Sequence, residues 1–144
     1  MSVQIPNAAR VVRIFYGAVL AGLVIIGATV ALLRRFASGP SLVQIPGIGI
    51  AFAVLALTSV AVAVRVLRPG FPERRPDQSA DLYWSDAGNR GRAIVLWAVV
   101  DGAGVLGAVG YLLTGSLAAV GALGVALAAM MLLQPARLEG EGAA

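Results

Sequence analysis

Four apolar runs separated by polar, arginine-bearing connections make up this chain: Ile14–Leu33, Pro46–Leu67, Ala93–Thr114 and Leu117–Leu133. A hydrocarbon core of about 30 Å takes about 20 residues of helix at 1.5 Å each, so runs of this length predict membrane-crossing helices over about 14–33, 46–67, 93–114 and 117–133. Proline and glycine fall where such helices should start and stop. Pro46-Gly47 opens the second run, Arg68-Pro69-Gly70 closes it, and Gln134-Pro135 closes the fourth. Thr114-Gly115-Ser116 is a minimal turn that folds runs three and four into an antiparallel hairpin. The expected fold is all-α: an integral membrane four-helix transmembrane bundle of two antiparallel helical hairpins, forming a single domain over residues 1–144.

The first run begins after a short polar start containing Pro6, with Arg10 and Arg13 before it and Arg34-Arg35 after it. It is longer than the apolar core of a signal peptide and lacks a small-residue cleavage site, so it reads as a retained helix. Phe15 and Tyr16 sit where an interfacial aromatic belt is expected. Ser38-Gly39-Pro40-Ser41 marks a turn before the second run, and the tail from Ala136 to Ala144 reads as frayed. The long hydrophilic connection is 69–92, where four arginines face Glu73, Asp77, Asp81 and Asp86, and Leu82-Tyr83-Trp84 offers an interfacial or partner-docking surface.

Composition sharpens this reading. The chain is 59% hydrophobic and 12% charged, about half the charged fraction of soluble domains, which argues against a water-soluble fold. Cysteine and histidine are both absent, which removes disulfides and the usual ligands for zinc, copper, haem and iron–sulfur clusters, so neither a metal nor another cofactor is expected. All 11 basic residues are arginine, and the net charge is +4. These arginines flank apolar spans instead of interleaving with aromatics on one face, a pattern of membrane topology and not of nucleic-acid binding. With an inward N-terminus, Arg10, Arg13, the six arginines from Arg65 to Arg92, and Arg137 lie inside, against Arg34 and Arg35 outside. Both termini and the 69–92 connection are then cytoplasmic. The Ala, Gly, Val and Arg usage suggests a bacterial inner membrane.

The third run carries the one carboxylate inside a span, Asp101. An ionised carboxylate at mid-depth costs at least ~2.5 kcal/mol and needs a partner, a proton or a polar interior. Arg65, near the inner end of the second run, is the candidate partner, with Thr58, Ser59 and Tyr111 as hydrogen-bonding alternatives. Gly102-Ala103-Gly104-Val105-Leu106-Gly107 spells the dinucleotide fingerprint, but inside a helix its amides are already bonded. Gly102, Gly104, Gly107 and Gly124 are instead expected to serve close helix packing. The stretch Ala21–Ala28 also aligns without gaps with Asp101–Ala108, which suggests related hairpins.

Asp101 through Gly107 resembles the rotor-ring proteolipids of rotary ATPases, which join an acid-bearing helix to a glycine-rich one. In that family the acid lies on the second helix of its hairpin and the glycines on the first. Here both fall on the first, which counts against a rotor. Small multidrug transporters carry their key acid in the first helix, where this chain has Ala21 and Gly22. Without a nucleophile–base pair, a metal set or paired carboxylates, catalysis is not expected. The function expected is that of an accessory subunit packing against a larger membrane complex of respiratory or photosynthetic type, with membrane lipid as its other partner. The alternative is a small oligomeric conductor of protons, cations or small molecules using Asp101.

Overall fold

A computed structural model describes residues 7–36, 43 and 45–140. Pro6, the Ser38–Ser41 turn and Glu141 lie outside the described residues. The fold is all-helical, with no strand among the described residues. In chain order it comprises α1 (Ala8–Phe36), α2 (Ile48–Val62), α3 (Ala80–Ser85), α4 (Ala87–Thr114), α5 (Leu117–Leu132) and α6 (Pro135–Leu138). A π-helical turn, Ala63–Leu67, and a 3-10 turn, Arg68–Gly70, continue α2. Among the described residues three helices are long and apolar enough to cross a membrane: Ala8–Phe36, Ile48–Gly70 and Ala87–Thr114. The fourth apolar run forms a shorter helix of 16 residues, α5.

Helix ends differ from the apolar boundaries because capping groups lie outside the apolar runs. α1 starts six residues before Ile14, where the Ala9 amide donates to Asp81 Oδ1 at 3.0 Å. That carboxylate, from a distant part of the chain, satisfies one of the amides a helix start leaves open. α4 likewise starts at Ala87, because the Asp86 carboxylate accepts from the Asn89 amide at 2.9 Å and caps the helix there. Its far end stops at Gly115, whose φ of 67° is the left-handed conformation glycine adopts without strain. The Pro46-Gly47 turn precedes α2, with Gly47 at φ 83°.

α4 is the central element, packed against α1, α2 and α5. Half of its most apolar stretch is buried, against 11% for α1 and 22% for α2. Its neighbours bury mostly small side chains: Ala53, Ala56 and Val60 from α2, Ala63 from the π-helical turn, and Ala119, Ala122, Ala126 and Ala129 from α5. Small residues let helix backbones approach closely enough for dispersion to act along their length. α1 and α4 run in the same direction, since Tyr16 meets Trp97 (ring centroids 5.2 Å apart) and Leu23 covers Gly104 one to two turns further along both. The two aligned stretches therefore play unequal parts. In Ala21–Ala28 only Leu23 is buried, whereas Asp101–Ala108 buries Ala103, Gly104, Gly107 and Ala108.

The tail reading is corrected for the described residues. Pro135–Leu138 is helical, with Pro135 and Leu138 buried, and Glu139 is 2% exposed. Its partners are far away in sequence, which is why a local reading of a short polar tail missed it.

Candidate functional site

Among the described residues polar chemistry occurs within α4 and at the end of the molecule where α3, α6 and the N-terminal part of α1 meet. Within α4, Asp101 is half-buried. It lies four residues after Trp97 and three before Gly104, on the stripe of α4 that meets α1. Below it, Trp97 stands against Tyr16 and Phe15. Above it, Leu23 fills the space over Gly104.

Among the described residues no hydrogen bond or ion pair reaches Asp101. The expected Arg65–Asp101 pair is not formed, because Arg65 is exposed within the π-helical turn of α2. Thr58 is exposed, and the Ser59 hydroxyl donates at 2.9 Å to Leu55 O in its own helix. Tyr111 stands at the other end of α4, with the Arg34 guanidinium 5.9 Å from its ring centroid.

Of the four glycines expected at helix contacts, Gly104 and Gly107 make close approaches and two do not. A Cβ on Gly107 would stand 2.8 Å from Leu123 N and 2.9 Å from Ala119 O, and one on Gly104 would stand 2.5 Å from Leu23 Cδ1. Gly102 and Gly124 have nothing within 4 Å of that position. The sequence reading passed over Gly110, where a Cβ would meet Phe52 Cβ at 2.7 Å. Its spacing from Gly107, three residues, was the available signal.

The polar end is built around Glu139. Its carboxylate accepts from Trp84 Nε1 at 2.7 Å and pairs with Arg74 Nη1 at 3.3 Å and Arg13 Nη2 at 3.7 Å. Tyr83 packs edge-on to Trp84, with centroids 5.0 Å apart and planes at 89°. The Tyr83 hydroxyl donates toward Pro72 O at 2.9 Å and lies 3.4 Å from Leu138 O. Asn89 Nδ2 donates to Tyr83 O and Arg90 Nη1 to Trp84 O, both at 3.1 Å. A step further into the molecule, Trp97 Nε1 donates to Leu133 O at 2.9 Å and the Tyr16 hydroxyl to Met130 O at 2.7 Å. These two bonds take up carbonyls that the end of α5 leaves open.

Tyr83 and Trp84 are thus 1% and 0% exposed, buried inside the chain, and of the Leu82-Tyr83-Trp84 triplet only Leu82 offers surface to a partner. Beside Leu82 opens a cleft of about 390 Å³ whose polar lining includes Glu73, Arg75, Asp77 and Asn89. No cluster of three or more potential metal-ligating acids occurs among the described residues.

Two outcomes are expected from this polar end. Glu139→Ala should weaken it by about 2–3 kcal/mol, chiefly by stranding the buried Trp84 N–H. Arg13, whose side chain is 55% exposed, stays hydrated, whereas Arg74, at 22%, is held largely out of water. Glu139→Gln keeps an acceptor for Trp84 and should cost under about 1.5 kcal/mol. Protease resistance of the 69–92 connection reads both, and equal loss in the two variants would contradict the Trp84 bond.

The second outcome concerns pH. Burial, helped by the Glu139 charge, pushes the Tyr83 hydroxyl above the usual tyrosine range near 10. The folded state therefore holds this proton more tightly than the unfolded chain. The resulting stabilisation is complete below pH ~10 and is lost as pH rises through the folded value. Tyr83→Phe should flatten that alkaline limb in a pH series of thermal melts.

Among the described residues, fold and site together define an all-helical protein with three helices fit to cross a membrane and a polar end knitted by its own side chains. Comparison of the chain with family models, curated proteins and solved structures finds no match.

Proposed function

We propose that this chain is a small non-catalytic subunit of a bacterial inner membrane that packs against a larger integral-membrane complex of respiratory or photosynthetic type. It would cross the bilayer four times as two antiparallel hairpins, with the polar end and both termini in the cytoplasm. The observation that supports this most is the uncovered apolar surface of α1. Ile14, Ile25, Leu32 and Leu33 are each more than half exposed, a surface that calls for lipid or protein cover. Gly17 and Gly22 lie on the same helix with open space where a Cβ would stand, leaving room for a helix of another subunit to approach. In this arrangement α5, ~24 Å long at 1.5 Å per residue, spans with local thinning of the bilayer or help from its flanks. The arginine distribution, nine residues at the polar end against Arg34 and Arg35, favours the cytoplasmic assignment. The soluble contact falls to Leu82 and its cleft.

The test is purification of the native chain in mild detergent from its own membranes, with size measurement and mass-spectrometric identification of what accompanies it. A defined complex at fixed stoichiometry supports the reading, and a chain that elutes alone defeats it. Leu82→Glu should weaken the soluble contact with the partner while leaving the chain folded.

The second reading, a conductor, draws on one observation: Asp101 has no bonded partner within the described chain, so its carboxylate is open to a proton or cation. Asp101→Asn should then abolish ion flux into liposomes holding the purified chain. If the accessory reading is right, the same variant should leave association with the larger complex unchanged.

A further inference from the structure

The end of α2 has a shape that the accessory role does not require. After Val62 the helix widens into the π-helical turn Ala63–Leu67 and then tightens into the 3-10 turn Arg68–Gly70. Arg92, from the first turns of α4, donates to Gly70 O and ties this irregular end to α4. Between the two elements lies a crevice of about 250 Å³ lined by Leu67, Gly91, Arg92 and Val95. Leu67 and Val95 give it hydrocarbon walls. Gly91 keeps it open, because nothing lies within 4 Å of where its Cβ would be.

The surroundings of the crevice are cationic. Arg92 lines it, and Arg65 and Arg68 stand two residues before and one after Leu67, all three exposed. Among the described residues no ion pair is formed by Arg65, Arg68 or Arg92. Their long apolar stems let the guanidinium groups gather at a boundary between oil and water. The crevice sits at such a boundary, since the apolar run of α2 gives way to Arg65 and that of α4 begins just after Arg92.

We propose that this crevice binds one anionic phospholipid, an acyl chain lying against Leu67 and Val95 and the phosphate held by Arg65, Arg68 and Arg92. Guanidinium groups meet phosphate oxygens in a bidentate geometry, and basic pockets between membrane-spanning helices suit anionic headgroups. The hydrocarbon walls select a lipid over free phosphate, and the unneutralised charge selects an anionic headgroup over a zwitterionic one. The inference rests on the membrane-spanning part of the proposed reading and not on the accessory role.

The test is native mass spectrometry of the full chain in mild detergent, titrated with phosphatidylglycerol, phosphatidylcholine or inorganic phosphate. Phosphatidylglycerol should be retained at least about tenfold better than phosphatidylcholine, and the triple variant Arg65→Gln, Arg68→Gln, Arg92→Gln should lose that preference. Gly91→Leu, which fills the crevice without changing charge, should lower retention several-fold. A triple variant of equal charge loss elsewhere, Arg10→Gln, Arg35→Gln, Arg137→Gln, should bind as the parent does. Equal binding of the two lipids, equal loss in both triple variants, or displacement by inorganic phosphate with Gly91→Leu inert would each overturn the site. A chain extracted from membranes by alkaline carbonate would defeat the spanning reading itself. One that stays integral but elutes without partners would defeat only the accessory reading.

Discussion

Gly107→Leu is expected to be the most damaging substitution in the apolar part of the molecule, costing roughly 3 kcal/mol or more, at or above the upper end of ordinary overpacking. A Cβ at Gly107 would stand 2.8 Å from Leu123 N and 2.9 Å from Ala119 O, and both are backbone atoms that no rotamer change can move. α4 and α5 would have to separate, and the alanine contacts along α5 would open with them. Gly102→Ala and Gly124→Ala serve as controls, because both sites have open space. There the gain in helix propensity, up to about 1 kcal/mol, is unopposed. Unfolding of the detergent-solubilised chain in rising sodium dodecyl sulfate, followed by far-UV circular dichroism, separates the three. If Gly107→Leu unfolds at the same point as Gly102→Ala, the close α4–α5 approach is wrong.

Trp84→Ala should be equally severe at the polar end, about 3–5 kcal/mol, the usual cost of deleting a fully buried large aromatic. Trp84 is 0% exposed, stands edge-on to Tyr83 and donates to Glu139. Removing it opens a cavity and leaves one oxygen of a buried carboxylate without its donor. The damage should stay local, because the glycine and alanine contacts of α2, α4 and α5 do not involve this side chain. Two readouts separate local from global failure. Tryptic cleavage within the 69–92 connection should accelerate by roughly 10²- to 10³-fold or more, since each 1.4 kcal/mol is a factor of ten in the open fraction. Fluorescence of the remaining Trp97 should keep its buried emission. Loss of the Trp97 signal together with rapid cleavage would mean that the polar end and the apolar helices unfold as one unit.

Both predictions rest on contacts that a linear reading does not contain. The apolar character of α2 and α5 runs all round each helix, so their sequences carry no pattern that says which side meets α4. Gly102 and Gly107 look alike on paper, yet one faces open space and the other the backbone of α5. The Arg65–Asp101 pair was reasonable from depth alone. Depth fixes height along a helix but not the direction in which a side chain leaves it, and the π-helical turn carries Arg65 to an exposed position. Leu82-Tyr83-Trp84 shows the same limit in reverse. Its aromatics suited an interface on composition, and the interface they found is with the chain's own tail.

What the sequence determined by itself was the class: helices on the four apolar runs, all four expected to cross a membrane, where among the described residues three are long and apolar enough to do so. Those properties follow from local quantities, the run of apolar residues, the rise per residue and the proline and glycine stops. Only the tertiary structure decided that α4 is the helix packed by the others, that of the four glycines expected at contacts Gly104 and Gly107 make close approaches and Gly110 joins them, and that Glu139 anchors the polar end. The Trp84–Glu139 bond joins residues 55 positions apart. Such a bond depends on where whole helices come to rest against one another, and no periodicity within either segment encodes it.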